Sequence, residues 1–166
     1  MRKPTANHAF IDGTNLHLTM KNLGWQIDHK RFRVYLREHY GIGKAYYFIG
    51  YVPELAGLYV SLQSAGYVLV YKPILRLPNG QIKGNVDAEL VLQAMIEYPN
   101  YEKAVIVTSD GDFQCLVRYL VGMGKLETVL APCLDGCSQL LKKAAGSRIA
   151  FIDVLRAKLE YIKKTP

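Results

Sequence analysis

The amino-acid sequence predicts an α/β fold in which helices cover both faces of a mainly parallel sheet. Short runs of β-branched and aromatic residues alternate along the chain with amphipathic segments of about ten residues. Strands that alternate with such helices form crossover units, and each crossover returns the chain to a parallel neighbouring strand. The 166 residues contain no internal repeat, low-complexity tract or linker, so residues 1–166 are predicted to form a single domain.

The predicted elements follow from these two patterns. The short apolar runs, rich in Val, Ile, Tyr and Phe, predict strands at residues 8–11, 45–49, 67–71, 104–108, 127–130 and 149–151. The amphipathic segments predict helices at residues 29–40, 54–64, 86–98, 113–123, 138–145 and 154–163. No helix is predicted between the first strand and residue 29. The apolar face of the last predicted helix would pack on the domain or, as an alternative that stays open, on a second copy of the chain.

Residues 74–83 interrupt the alternation and are predicted to form a small hairpin. Two short segments flank Pro78-Asn79-Gly80, and Asn-Gly is a preferred sequence for a tight hairpin turn. Between Lys72 and Lys83 the chain carries three Lys or Arg residues and no acid. We expect this basic hairpin to be exposed, where it would either form one side of a groove or serve only as an excursion of the chain.

The charges are unevenly distributed in a chain of formal net charge +7. Residues 21–44 contain six Lys or Arg against two acids, and residues 142–164 contain seven against two. Carboxylates are instead concentrated in a few short motifs. This pattern favours an anionic polymer held by the surrounding surface and a cation held at the centre. The alternative is that the basic charge serves solubility alone.

The composition argues against several classes of protein. The longest apolar runs fall short of the roughly 18 residues of a membrane span, and the first residues do not form an apolar signal segment. Three cysteines do not indicate a disulfide framework, and no second Cys/His pair completes a zinc site with Cys133 and Cys137. We therefore expect a cytoplasmic protein without a membrane partner.

Two predicted strands run directly into an Asp-Gly pair. The first strand leads into Asp12-Gly13-Thr14-Asn15, and the fourth leads through Ser109 into Asp110-Gly111-Asp112. The carboxyl ends of parallel strands lie at one edge of a sheet, with neighbouring strands about 4.8 Å apart. If these two strands are neighbours, Asp12, Asp110 and Asp112 meet there. Asp87, at the start of a predicted helix, would join them.

Such a cluster of acids predicts a site for a divalent cation. Two like charges 4 Å apart repel by about 4 kcal/mol at an effective dielectric constant near 20, so the acids must protonate or bind a cation. Hard oxygen ligands favour Mg²⁺ or Mn²⁺. Asn15, Thr14 and Ser109 would then orient water or a phosphate oxygen, and Gly13 and Gly111 would allow sharp turns and close approach of a ligand. Taken singly, each Asp-Gly pair is most often a turn, and Asp87 a helix cap.

Three segments of the chain together resemble the NYN domain family of PIN-like nucleases. They are Phe10-Ile11-Asp12-Gly13-Thr14-Asn15-Leu16, Lys83-Gly84-Asn85-Val86-Asp87-Ala88-Glu89-Leu90 and Val107-Thr108-Ser109-Asp110-Gly111-Asp112-Phe113. Residues 137–145 with Phe151-Ile152 also resemble the closing segment of that family, although Gly146-Ser147-Arg148 stand where the family often has an acid. The resemblance extends over nearly the whole chain.

This resemblance implies a PIN-like fold, a Rossmann-like three-layer sandwich, and a nuclease that uses Mg²⁺ or Mn²⁺ to hydrolyse phosphodiester bonds. It implies RNA as the partner, with DNA left open. The metal ligands would be Asp12, Asp87, Asp110 and Asp112, and the catalytic set these acids with Asn15. By motif position Lys83 would bind the substrate, and the hydroxyls of Thr14 and Ser109 described above complete the predicted set of substrate-binding residues. Aromatic residues available for base stacking, unless they belong to the core, are Trp25, Tyr46, Tyr47, Tyr51 and Tyr71.

Other functions remain as alternatives to this prediction. The first is a module of the same fold that binds nucleic acid or protein without cleaving anything, since intact acids are necessary but not sufficient for catalysis. An aspartyl-phosphatase of the haloacid dehalogenase kind would need a second Asp at position 14, which is Thr14. The glycines at 41–44 and 122–125 lack the order of strand, glycine loop and helix that cradles phosphate.

Overall fold

The structure, a computed structural model, describes residues 6–83 and 86–165, with the backbone alone for Ile82 and Lys83. Its strands are β1 (Asn7–Asp12), β2 (Ile42–Tyr51), β3 (Tyr67–Pro73), β4 (Leu75–Arg76), β5 (Ile82–Lys83), β6 (Ala104–Val107), β7 (Leu126–Ala131) and β8 (Ile149–Phe151). Its α-helices are α1 (Gly13–Leu23), α2 (His29–Tyr40), α3 (Ala56–Ser64), α4 (Asp87–Ile96), α5 (Gln114–Gly122), α6 (Gln139–Ala145) and α7 (Arg156–Leu159).

Six of the strands form one sheet in the order β3-β2-β1-β6-β7-β8, and every neighbouring pair in it is parallel. One face carries a hydrophobic cluster around Ala9, Ile11 and Phe32, and the other carries a cluster around Phe10, Leu90 and Leu116. Alternate residues of β1 thus contribute to opposite cores, as a sheet covered on both faces requires. The predicted fold class, a three-layer α/β sandwich, is confirmed.

The order of the strands opens a crevice between β1 and β6. From β1 the chain builds β2 and β3 on one side of the sheet, then returns to place β6 on the other side of β1. Connections that diverge from two neighbouring strands leave a gap at their carboxyl ends, which is where open α/β sheets bind ligands. The sequence placed its two Asp-Gly pairs at the ends of these strands, and their adjacency is now established.

The predicted hairpin is confirmed as the antiparallel pair β4 and β5. Gly80 adopts a φ of 81°, in the left-handed region that glycine tolerates best, and the N–H of Leu77 donates to the carbonyl of Gln81 over 2.8 Å. The N–H of Gly80 donates to the carbonyl of Leu77 over 2.9 Å, and Asn79 has no positive φ, so the turn is a three-residue loop of Pro78, Asn79 and Gly80 rather than a two-residue Asn-Gly turn.

One helix was not predicted from the sequence, and one was predicted too long. Helix α1, for which no prediction was made, packs Leu16 and Met20 into the core, four residues apart, and ends at Gly24 with a φ of 79°. The helix predicted at residues 154–163 contains only the four-residue α-helix α7, because the chain after α7 forms backbone hydrogen bonds with the loop between α1 and α2. The N–H of Tyr161 donates to the carbonyl of Gln26, which holds this segment extended. Val154 and Ile162, which the predicted helix would have carried on its apolar face, are both exposed.

Within the described ranges, none of the helices combines the length and the apolar character needed to cross a bilayer.

Candidate metal centre

Three aspartates that are distant in sequence meet at the crevice. Asp12 ends β1, Asp110 follows β6 after two residues, and Asp87 is the first residue of α4. Each offers a carboxylate oxygen, and these three oxygens lie within 4.8 Å of one another. Asp12 is buried, while Asp87 and Asp110 are half-buried. The convergence predicted from the two strand ends and the helix start is therefore present for these three acids.

The Asp12 carboxylate is held by two hydrogen bonds. One oxygen caps α1 by accepting from the N–H of Asn15 over 3.2 Å, and the other accepts from the hydroxyl of Thr108 over 3.1 Å. The pKa of Asp12 is raised to about 6, chiefly by burial and in smaller part by repulsion from Asp87 and Asp110, while the two hydrogen bonds lower it. The ionised form of Asp12 is thus costly in the absence of a cation.

Thr108 connects two of the three acids. Its hydroxyl donates to Asp12 and accepts from the N–H of Asp110 over 3.1 Å, and its side chain is fully buried. Asp110 in turn accepts from the N–H of Asp112 over 2.9 Å, which caps the short 3₁₀ turn at Gly111–Phe113. Thr108 lies within one of the quoted motifs, yet no role for it was predicted from the sequence. The sequence did contain a signal for this role, because Thr108 is a hydroxyl residue directly after an apolar strand and two residues before an acid.

Asn15 and Ser109, two predicted site residues, bind each other. The side-chain oxygen of Asn15 accepts from both the N–H and the hydroxyl of Ser109, over 2.9 and 3.0 Å. Their position beside the acids is as expected, but these polar groups connect α1 to the segment after β6. In this arrangement they support the acids through the backbone that carries them.

The remaining predicted residues lie farther out. Thr14 and Asp112 are exposed, and Asp112 does not belong to the group of acids within 4.8 Å among the described residues. Gly84 and Asn85, in the second motif, lie outside the described residues, as does the side chain of Lys83. Roles for Thr14, Asp112 and Lys83 stay predictions.

Gly13 and Gly111 allow close packing of the protein itself. Neither has a left-handed φ, so the sharp turns expected from the sequence are not the reason for these glycines. A Cβ on Gly13 would lie 2.4 Å from Cε1 of Tyr47, and one on Gly111 would lie 2.3 Å from Oγ of Ser138. The two Asp-Gly pairs therefore let β2 and the start of α6 approach the residues next to the acids.

The aromatic residues proposed for base stacking divide by burial. Trp25, Tyr46 and Tyr47 belong to the core, in agreement with the alternative that the sequence left open. Tyr51 and Tyr71 are exposed by 48% and 38%, at the carboxyl ends of β2 and β3, with ring centroids 5.5 Å apart. Only these two of the five are available to a ligand.

A family model matches most of the chain. The model of the NYN domain matches residues 9–153, which include all three acids of the cluster. The chain belongs to the NYN domain family. The low amplitude and bright protein LabA of Synechococcus elongatus is 27% identical to this NYN domain over 173 residues, which cover 98% of the chain and 90% of LabA.

A solved structure has the same fold as this NYN domain. A Vibrio parahaemolyticus protein of unknown function matches it with a TM-score of 0.77 and 20% identity, over 97% of this chain and 100% of the other. At that identity the match establishes the fold alone.

The ligand chemistry of this NYN domain fits a hard divalent cation. The three clustered groups are all carboxylates, which Mg²⁺ and Mn²⁺ prefer and softer metals do not select. The raised pKa of Asp12 fits as well, because a bound cation would offset both repulsion and lost hydration. Such a cluster is therefore compatible with divalent metal binding.

A basic residue lies at the rim of this site. Nζ of Lys72, near the end of β3, lies 3.5 Å from a carboxylate oxygen of Glu89, which is two residues after Asp87 on the first turn of α4. Both side chains are about one-third exposed. Lys72 was predicted only to belong to a basic segment, because nothing in the sequence shows that β3 and α4 meet.

Proposed function

We propose that this NYN domain hydrolyses phosphodiester bonds of single-stranded RNA in the cytoplasm, with Mg²⁺ or Mn²⁺ held by Asp12, Asp87 and Asp110. The family, PIN-like and typically ribonucleolytic, supports the reaction class. The observation that carries the proposal is the approach of three carboxylate oxygens within 4.8 Å at the crevice between β1 and β6. Single-stranded RNA is proposed over DNA on the family's substrate class.

The proposed chemistry divides between the ion and the chain. When bound, a divalent cation would stabilise negative charge on the phosphate oxygens and lower the pKa of a water molecule, so that no side-chain nucleophile is required. The chain supplies the positions of the acids. Thr108 and the N–H of Asn15 fix the two oxygens of Asp12, and Thr108 also fixes the backbone of Asp110.

The remaining residues support binding of the substrate. Asp112, exposed beside Asp110, is proposed as a fourth acid of the site. Lys72 at the rim and Lys83 on the hairpin are proposed to contact phosphates, as mobile point charges suited to a flexible backbone. Thr14, exposed on the first turn of α1, is proposed to contact a phosphate oxygen.

A cleavage assay tests this proposal. A panel of labelled single-stranded RNAs is incubated with Mg²⁺, Mn²⁺ or chelator, and we expect cleavage only with metal. Asp110→Asn should abolish it. The matched control is Glu102→Gln, which removes an exposed acid that lies before β6 at the opposite edge of the sheet. Metal binding without cleavage by the wild-type protein would favour the non-cleaving module, and undiminished cleavage by Asp110→Asn would contradict the assigned site.

A further inference from the structure

A second concentration of charge lies in the groove between α2 and α7. This groove has a volume of about 560 Å³, and Lys30, Arg31 and Lys158 contribute three cations to its lining. Tyr35 and His39 contribute two aromatic rings. None of the clustered acids takes part in it.

The two rings form a ready stacking surface. Tyr35 and His39 lie one turn apart on α2, with ring centroids 5.0 Å apart and planes 11° from parallel. Tyr35 is half-buried and His39 is exposed, and Nζ of Lys158 lies 5.9 Å from the centre of the Tyr35 ring. A flat ring flanked by cations suits a nucleotide, since bases stack on aromatic faces and phosphates bind Lys and Arg.

The fold creates this groove from two basic segments of the sequence. The N–H of Asp28 donates to the carbonyl of Leu159 over 2.7 Å, and Ile27 forms an antiparallel bridge with Glu160. These contacts bring residues 142–164 against residues 21–44, the two segments with the largest excess of Lys and Arg.

Two of the three cations that line the groove remain available to a ligand, since Nε of Arg31 lies 3.7 Å from a carboxylate oxygen of Asp28. Arg156 is engaged by Glu160 over 2.8 Å. By contrast, neither Lys30 nor Lys158 forms an ion pair within the ranges that the structure describes. One acid, Glu38, also lines the groove, and Arg37 lies 4.0 Å from it.

The stacked rings of the groove lie at the end of α2 that is remote from the acids. Nδ2 of Asn7, the first residue of β1, donates to the carbonyl of Tyr40, so α2 ends at the amino edge of the sheet, whereas Asp12 lies at the carboxyl edge. The five steps along β1 between these edges span about 17 Å at roughly 3.3 Å per residue. The groove also lies on the other face of the sheet, because α2 packs with Ile11 and α4 packs with Phe10.

We propose that the α2–α7 groove is a second, distal binding site for single-stranded RNA, in which a base stacks on Tyr35 and His39 while phosphates contact Lys30 and Lys158. This inference rests on the proposed function, because it gives the strand cut at the acids a further contact on the other face of the sheet. A single strand is required, since the bases of a duplex are already stacked. Strands long enough to reach both sites therefore bind more tightly than short ones.

Binding of a 20-nucleotide single strand in the presence of chelator tests the distal site without cleavage. The variant Lys30→Ala with Lys158→Ala is compared with Lys143→Ala with Arg148→Ala, which removes the same charge from exposed positions at the end of α6 and just after it. Each phosphate contact on a single strand contributes about 0.7 to the slope of log affinity against log salt. We expect the slope to fall by about 1.4 in the groove variant and to stay unchanged in the control. Equal slopes in the two variants would overturn the distal site.

The stacking part has a separate test. His39→Ala removes one ring of the stacked pair, and we expect it to weaken binding of the single strand while leaving binding of a 20-base-pair RNA duplex unchanged. Equal weakening for both would overturn the stacking role.

Cleavage of a dinucleotide separates this inference from the proposed function. A dinucleotide is too short to contact both sites, so the groove variant should cut it as fast as the wild type while losing affinity for the long strand. If no RNA is cut but the long strand still loses affinity in the groove variant alone, the proposed catalysis fails and the distal site stands. If cleavage proceeds and the affinities of all variants for the long strand are equal, the distal site fails and the proposed function stands.

Discussion

The side-chain oxygen of Asn15 accepts two hydrogen bonds from Ser109, a residue 94 positions away in the chain, over 2.9 Å from its N–H and 3.0 Å from its hydroxyl. This pair joins the first turn of α1 to the segment that carries Asp110. It therefore fixes the ends of β1 and β6 relative to each other at the point where the acids meet.

Asn15→Ala should destabilise the protein because it leaves both donors of the buried Ser109 without a partner. Unpaired buried donors of this kind cost about 1–3 kcal/mol, measurable as a lower urea midpoint. The control is Asn100→Ala, since Asn100 is exposed and its amide donates to Glu97 at the surface. A surface change of this kind should stay within about 0.5 kcal/mol. Equal losses in the two variants would show that the connection between Asn15 and Ser109 does not hold the crevice together.

Asp12→Asn should stabilise the metal-free protein at pH 7.5. The folded-state pKa of Asp12 is raised from 3.8 to about 6, so its contribution to stability is fully present below pH 3.8 and is lost as the pH rises through 6. Asparagine keeps the cap of α1 and carries no charge. We expect a gain of about 2–3 kcal/mol in the free energy of unfolding, from about 1.4 kcal/mol per pKa unit. Denaturation in chelator checks this, and a loss of stability would contradict the account of Asp12 as an ionised, buried acid.

The contribution of His29 to folding stability should change with pH in the opposite direction to that of Asp12. Burial lowers the pKa of His29 from 6.5 to about 4, and its Nδ1 atom is buried without a hydrogen-bond partner in the described structure. Its contribution to stability is therefore full above pH 6.5 and is lost as the pH falls through 4. Its ring packs edge-on against Tyr47, 5.7 Å between centroids.

His29→Phe should remove that acid sensitivity while preserving the ring contact. Unfolding of the wild type and the variant is measured at intervals from pH 7.5 to pH 4, in an Asp12→Asn background that removes the opposing contribution. We expect stability in this background to fall with decreasing pH by up to about 3 kcal/mol when His29 is present, and to change less when it is absent. Parallel curves would rule out His29 as the group responsible.

Gly13→Ala should be much more costly than Gly122→Ala. The added Cβ at position 13 would lie 2.6 Å from the carbonyl oxygen of Phe48, which belongs to the backbone of β2 and cannot move aside alone. Overpacking of this kind costs about 1–3 kcal/mol and would also displace Asp12. At Gly122, on the last turn of α5, the same methyl group meets nothing within 4 Å and should be neutral or stabilising. Equal thermal midpoints for the two variants would refute the close approach of β2 to the metal centre.

Much of the fold was predictable because burial of the strands is so regular. The strand from Ala104 to Val107 is fully buried, and short continuous apolar runs of this kind are typical of parallel sheets. The position of Asp12 and Asp110 at one edge followed from the same rule. Whether the two aspartates would lie close together depended on the order of the strands in the sheet, which the sequence alone did not determine.

The parts that were missed depend on tertiary contacts. Helix α1 contains Gly, Thr and Asn in its first turn, which are weak helix formers, and it is stabilised by the cap from Asp12 and by burial of Leu16 and Met20. The chain after Leu159 has helix-compatible residues but pairs with the loop at Gln26 and Ile27. Likewise, the hydrogen bonds of Thr108 and the approach of Ser138 to Gly111 join segments whose proximity only the fold determines.

The claim on which the account depends is that Asp12, Asp87 and Asp110 form one site for a divalent cation. Calorimetric titration of Mn²⁺ into the metal-free protein tests it most directly, with Asp110→Asn, Asp87→Asn and the control Glu102→Gln run in parallel. We predict saturable binding to the wild type and to Glu102→Gln, with proton release at pH 6 as Asp12 loses its proton, and no binding to either Asp variant. Binding that is absent from the wild type, or that is equal in Asp110→Asn, would contradict the account.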